Sequence, residues 1–331
     1  MGAFSNFNKR FNSIWTPSVF QGWGKRRGYF EGWYFKIISK DEKHAYAIIP
    51  GIALDEKASG ADSHSFIQIM DGINNKADYL RFAVDDFSPS YQSFELELAS
   101  NKFSDRQISL DLPNCKGKLS FSEPVKWPVK WHSPGIMGWY AFVPFMECYH
   151  GIVSMNSTIE GSLEVDGTEI DFTGGKAYLE KDWGVSFPSS WIWMQSNHFE
   201  QDDVSINISV ANIPWLFSSF VGFIAWVWID GTLYPFTTYS GAKMTKTAVK
   251  GNKINLELVD NKYHLSVEAL GSKSAELVAP IKGIMEGRVE ESMTAVMQVC
   301  LKEKRSGKII FEGTGNRTGL EVAGNYKELL K

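Results

Sequence analysis

The chain has 331 residues, a formal net charge of −4, and 44% hydrophobic against 22% charged residues, an ordinary composition for a globular protein. That length exceeds what one hydrophobic core usually serves, so two cores are expected. The acidic balance argues against a nucleic-acid partner, which needs a clustered basic face, and the run Lys25-Arg26-Arg27 is too short to supply one.

Aromatic residues make up 14% of the chain, with 12 Trp and 22 Phe, and beside frequent Gly this favours strands over helices. The three cysteines, Cys115, Cys148 and Cys300, are odd in number and far apart, which fits a reducing compartment better than a disulfide framework. No apolar stretch follows the basic residues of the N-terminus, so no secretory signal is read there. The Met1-Gly2 start with Ser5 meets only part of a myristoylation pattern. The expected location is cytoplasmic.

In chain order, 15–27 reads as an irregular lead-in containing Pro17. Residues 29–39, YFEGWYFKIIS, alternate as a strand with Glu31, Trp33 and Phe35 on one face and Phe30, Tyr34 and Lys36 on the other. Residues 44–52, 65–71, 77–84, 93–112 and 115–121 continue a period-two meander. Pro124, Pro128, Pro134 and Pro144 exclude a long helix from the next stretch, which reads as an ordered loop packed by aromatics. Asp166-Gly167 and Asp230-Gly231, each between alternating segments, are strong hairpin signals. Residues 214–220 read as an apolar loop, either core filler or a greasy gate. The second half is strand-rich, and 319–331 reads as a short closing helix. The expected architecture is all-β, with halves at 1–160 and 161–331.

The stretch 175–197 carries the chemistry. Its first strand sets Lys176, Tyr178, Glu180 and Asp182 on one face and Ala177, Leu179, Lys181 and Trp183 on the other. After a turn at 184–190, a second strand sets Trp191, Trp193, Gln195 and Asn197 on one face. A solvated hairpin is the bland reading. Indoles alternating beside amides are costly to leave in water, so the preferred reading is a pocket wall for a large apolar ligand with one polar end. A carboxylic acid in such a wall has its pKa raised by burial and can deliver a proton, while an adjoining indole stabilises a developing cation. Asp182 ranks first as the acid, then Glu180 and Glu31, against a reading of each as a surface acid paired with Lys36, Lys176 or Lys181. No phosphate loop, dinucleotide fingerprint or Gly-x-Ser-x-Gly elbow is present and the six His residues show no metal spacing, so no cofactor and no metal are expected, with a metal site assembled from distant strands as the less favoured alternative.

YFEGWYFK at 29–36, SPGIMGWYAFVPFMECYHG at 133–151, GGKAYLEKDWGVSFPSSWIWMQSNHF at 174–199 and YSGAK at 239–243 resemble the tocopherol cyclase family, in its shorter bacterial form. The resemblance implies two lipocalin-like β-barrel halves packed together around a lipophilic pocket. It also implies a cofactor-free isomerase: the plant enzymes close the chromanol ring of vitamin E by protonating a prenyl double bond and trapping the cation with a phenolic oxygen. Related lipocalin-like proteins hydrate carotenoid double bonds or guide pericyclic closures. The expected ligand is a prenylated quinol or other isoprenoid, held by Trp33, Tyr34, Tyr140, Tyr178, Trp183, Trp191, Trp193, Gln195 and Asn197. A ligand of that kind leaves room for transient contact with a membrane surface. The alternative is a non-catalytic carrier, in which the same residues only orient the ligand.

Overall fold

The structure, a computed structural model, describes residues 3–57 and 59–331; the Met1-Gly2 start lies outside the described residues. The chain is all-β, as its alternation predicts. Antiparallel strands form one sheet of twelve between Tyr29 and Gly184 and one of ten between Ser190 and Gly324. Two compact units result: 1–71, 76–187 and 277–288 form the first, and 72–75, 188–276 and 289–331 the second. The division expected at 160/161 falls inside the strand Cys148–Val165, and the main change of unit comes at Phe187/Pro188.

In the first unit the sheet curls until inward side chains from distant strands meet. Phe35, on the strand Tyr29–Ile38, has its ring 6.1 Å from that of Phe94, 6.0 Å from Phe103 and 5.9 Å from Phe121, none of which lies on a strand that pairs with it. Full burial of such a side chain stabilises the fold by roughly 2–3 kcal/mol, and Phe35 joins a large hydrophobic cluster. The second unit has its own apolar core, in which Ile192, Met194, Ile206, Ile208 and Val210 meet Leu256, Leu265, Val299 and Leu301. Barrel-like closure follows from the alternation, because one face of each strand must be covered.

Both Asp-Gly turns form. Asp166 and Gly167 have φ of 49° and 76°, Asp230 and Gly231 of 45° and 80°, the left-handed pair a two-residue hairpin needs. Other readings change. The strands Lys176–Gly184 and Ser190–Ser196 do not pair with each other: the first lies between Tyr29–Ile38 and Cys148–Val165, the second between Val204–Trp215 and Ile309–Gly324. The apolar stretch at 214–220 is not a loop, since its two strands pair up to Trp215 and Ser218 and leave only Leu216 and Phe217 at the tip. Those two are 72% and 104% exposed, so they are not core filler. The last strand runs to Gly324, and the closing helix is one 3-10 turn at Tyr326–Leu329. The N-terminal helix Ala3–Ser13 has no counterpart in the sequence reading. Among the described residues, no helix is long and apolar enough to cross a membrane.

Candidate active site

The strand Lys176–Gly184 sits at the centre of the first sheet, and its neighbours decide what its two faces meet. Residues directly opposite in an antiparallel pair share a face. Tyr34 is opposite Glu180 and Lys36 opposite Tyr178 on one side; His150 is opposite Asp182 and Ile152 opposite Glu180 on the other. Tyr34, Lys36, Tyr178, Glu180, Asp182 and His150 therefore line the face turned away from the first core. Glu31, Trp33 and Phe35 face Trp183, Lys181 and Leu179 on the opposite, core side.

On the outer face a compact polar cluster forms. His150 Nδ1 lies 2.9 Å from Asp182 Oδ1, and Nε2 lies 3.7 Å from Glu180 Oε2. Nε2 is buried and makes no hydrogen bond. The Tyr178 hydroxyl donates to Glu180 Oε2 at 2.6 Å. Burial by itself would lower the His150 pKa; the Asp182 and Glu180 carboxylates outweigh it and raise the value to about 9. The protonated imidazole is thereby favoured at neutral pH, with Nε2 turned toward Glu180. The three residues also offer one ligand atom each within 4.8 Å of one another, a group able to take a cation. For that, Nδ1 would have to give up Asp182, or Nε2 and Glu180 would have to serve as the only two close ligands.

Glu31, expected as an acid, lies on the core face, apart from the His150 group. Glu31 is fully buried, 2.6 Å from Lys181 Nζ, and accepts hydrogen bonds from the Tyr29 hydroxyl and the backbone N–H groups of Gln21 and Gly22. Lys181 also donates to the carbonyls of Pro17 and Val19. The pair clamps the lead-in segment onto the sheet. Burial raises the Glu31 carboxyl against the pull of Lys181, and lowers the Lys181 ammonium to about 8 against the pull of Glu31. Trp33 and Trp183, expected in a ligand wall, pack against this ion pair. Their rings hold the Lys181 ammonium at 4.9 and 4.6 Å, so the cation these indoles face is the protein's own. Trp33 is 1% exposed, lies parallel to Phe94 at 5.3 Å, and donates to the Ser18 carbonyl. Trp183 lies parallel to Tyr149 at 5.5 Å.

In the second unit the expected alternation holds. Ile192 and Met194 enter the core, while Trp191, Trp193, Gln195 and Asn197 occupy the other face of Ser190–Ser196 and its continuation. Trp191 Nε1 donates to Glu321 Oε2 at 2.5 Å. Trp193 lies over Gly319, where a Cβ would come within 2.7 Å of its ring, so only glycine admits the indole there. Gln195 and Asn197 are buried. Tyr140 lies on the 3-10 turn Gly138–Phe142, with its ring stacked on Trp139 at 4.1 Å.

His150, at the centre of the polar cluster, is not among the site residues expected from the sequence. Its one signal is parity: it falls two residues from Cys148 and from Ile152 in a strand whose partner was unknown.

The fold is all-β and lipocalin-like, with a His–carboxylate cluster on a central strand. The family model for tocopherol cyclase-like proteins matches residues 113–324, well over half of the chain, and the chain belongs to that family. The match includes His150, Glu180 and Asp182 and leaves out Glu31 and Trp33. A probable chloroplastic tocopherol cyclase of Oryza sativa subsp. japonica is 28% identical over 203 residues, covering 56% of this chain and 42% of the rice protein. The chloroplastic tocopherol cyclase of Zea mays is 27% identical over 203 residues, covering 56% and 41%. The chain thus spans less than half the length of these curated relatives. Among solved structures, CghA with Sch210972 aligns over 89% of this chain and 88% of its own, with a TM-score of 0.56 at 11% identity. A putative AttH from Nitrosomonas europaea aligns over 89% and 92%, with a TM-score of 0.50 at 14% identity. At these identities the likeness is one of fold.

Proposed function

We propose that the protein is a ring-closing enzyme acting on a prenylated phenol or quinol, or a related isoprenoid, by protonating an alkene and trapping the cation. The observation that carries this reading is the buried Nε2 of His150, fixed from behind by Asp182 and facing Glu180 across 3.7 Å. Family membership supports a cyclase-type reaction.

In the proposed reaction the His150–Glu180 pair gives its proton to the alkene, leaving a cation on the more substituted carbon. The phenolic oxygen attacks that carbon and forms the C–O bond. Its proton then returns to the pair, so product and substrate are isomers and no oxidant or reductant is consumed. Asp182 orients the imidazole and stabilises its charged form, as a carboxylate behind a catalytic histidine does. Tyr178 keeps Glu180 in place. The acid role first given to Asp182 therefore passes to the pair it supports.

The test is incubation with a prenylated quinol, read as a product of unchanged mass and new retention. Parent protein is expected to form it, and His150→Asn and Glu180→Gln to lose about 100-fold or more in rate with ligand binding kept. Substrate returned bound and intact by the parent would favour the carrier reading, and variants as fast as the parent would remove the proton pair from the mechanism.

A further inference from the structure

The first unit carries an aromatic and basic surface that the proposed chemistry does not use. Phe7, Phe11 and Trp15 follow one another at helical spacing, with ring centroids 6.4 and 5.3 Å apart along the helix Ala3–Ser13 and just past it. Trp15 continues the row to Phe142 at 5.6 Å, and its Nε1 donates to the Trp131 carbonyl. Three rings of the row stay largely in water, Phe7 at 64% exposed, Phe11 at 51% and Phe142 at 41%, and the adjoining Trp131 is 81% exposed. Leaving one such ring exposed is ordinary; a connected row of them marks a binding surface.

The charge on the same two segments is one-sided. Residues 3–28 hold five Lys and Arg and no Asp or Glu, and 124–146 add Lys126 and Lys130, again with no acid, in a chain whose net charge is −4. Lys126 pairs with Asp105. Arg10 precedes Phe11 and Lys130 precedes Trp131, and both are exposed.

We infer that this surface seats the protein on an anionic lipid bilayer, with the aromatic row in the headgroup layer and the basic residues against lipid phosphates. Trp and Phe beside Lys and Arg is the chemistry of an interfacial helix that lies in the membrane plane. A second copy fits less well, because it would bring the same positive charge to the same patch. The clamp made by Glu31 and Lys181 gives the surface a fixed base, since it holds the carbonyls of Pro17 and Val19 immediately after Trp15.

Flotation with vesicles tests this without reference to any ring-closing activity. The full chain is mixed with phosphatidylcholine vesicles, with or without about a third phosphatidylglycerol. Binding is expected to the anionic vesicles and to weaken with added salt. Arg10→Gln with Lys130→Gln should weaken it about fivefold per charge removed, and Phe11→Ser with Trp131→Ser should release the protein at unchanged circular dichroism. Equal binding to both vesicle types, no binding to either, or aromatic variants that float like the parent would each overturn the inference. So would a parent dimer in solution that the aromatic variants abolish while vesicles leave the parent behind.

Discussion

His150 and Asp182 face each other across neighbouring strands as a direct pair, and their side chains meet at 2.9 Å between Nδ1 and Oδ1. This contact makes the imidazole a fixed, charged group whose second nitrogen points at Glu180, and it ties the site's protonation to pH in a predictable direction.

The folded pKa of His150 is raised from 6.5 to about 9, so its protonated form is favoured in the folded state. The resulting stabilisation is fully present below about pH 6.5 and is lost as pH rises through about 9. Its size is on the order of 3 kcal/mol. Thermal unfolding of the parent should therefore weaken between pH 6.5 and 9 more steeply than that of His150→Gln. Parallel pH profiles of the two proteins would contradict the charge state assigned here.

Asp182→Asn removes one of the two carboxylates that raise His150. The imidazole should then titrate at lower pH, visible by nuclear magnetic resonance of labelled histidine, and the alkaline limb of any ring-closing activity should move with it. A general acid at Asp182 itself would instead abolish activity at every pH.

Glu31→Gln leaves Lys181 buried without its counter-charge. Breaking a buried pair in this way costs about 3–5 kcal/mol, and replacing both partners by apolar groups of similar volume costs less. Denaturant unfolding of Glu31→Gln, Lys181→Met and the double variant Glu31→Leu with Lys181→Met should show that order. Activity per folded molecule should be retained, whereas an acid role for Glu31 requires its loss at unchanged stability.

Leu216 and Phe217 sit on the exposed tip of a hairpin, so replacing both with Ser should change stability by no more than about 0.5 kcal/mol. If the tip admits an apolar ligand, uptake of a prenyl compound should fall in the same variant. A large drop in melting temperature would return these residues to the core.

Alternation in the sequence was enough to define the all-β fold, the two Asp-Gly turns and the faces on which Tyr178, Glu180 and Asp182, or Trp191, Trp193, Gln195 and Asn197, stand together. These are local properties: a strand has period two, and a left-handed turn needs Asp or Gly whatever surrounds it. The helix Ala3–Ser13 was less legible, because eleven residues with three Asn carry little helix propensity and their apolar face stays in solvent.

Face counting within one strand could not tell which face of Tyr29–Ile38 shares a side with Glu180. Register decides that, and register is set by pairings between residues about 150 positions apart. It placed Glu31, Trp33 and Trp183 with Lys181 on the core side, where burial demands a paired charge, and brought His150 from a third strand to Asp182 and Glu180 on the other. The residue types of a proton site were readable in the chain; which of them share it was decided only by the sheet, because hydrogen-bonded pairing between distant strands is what puts their side chains within reach.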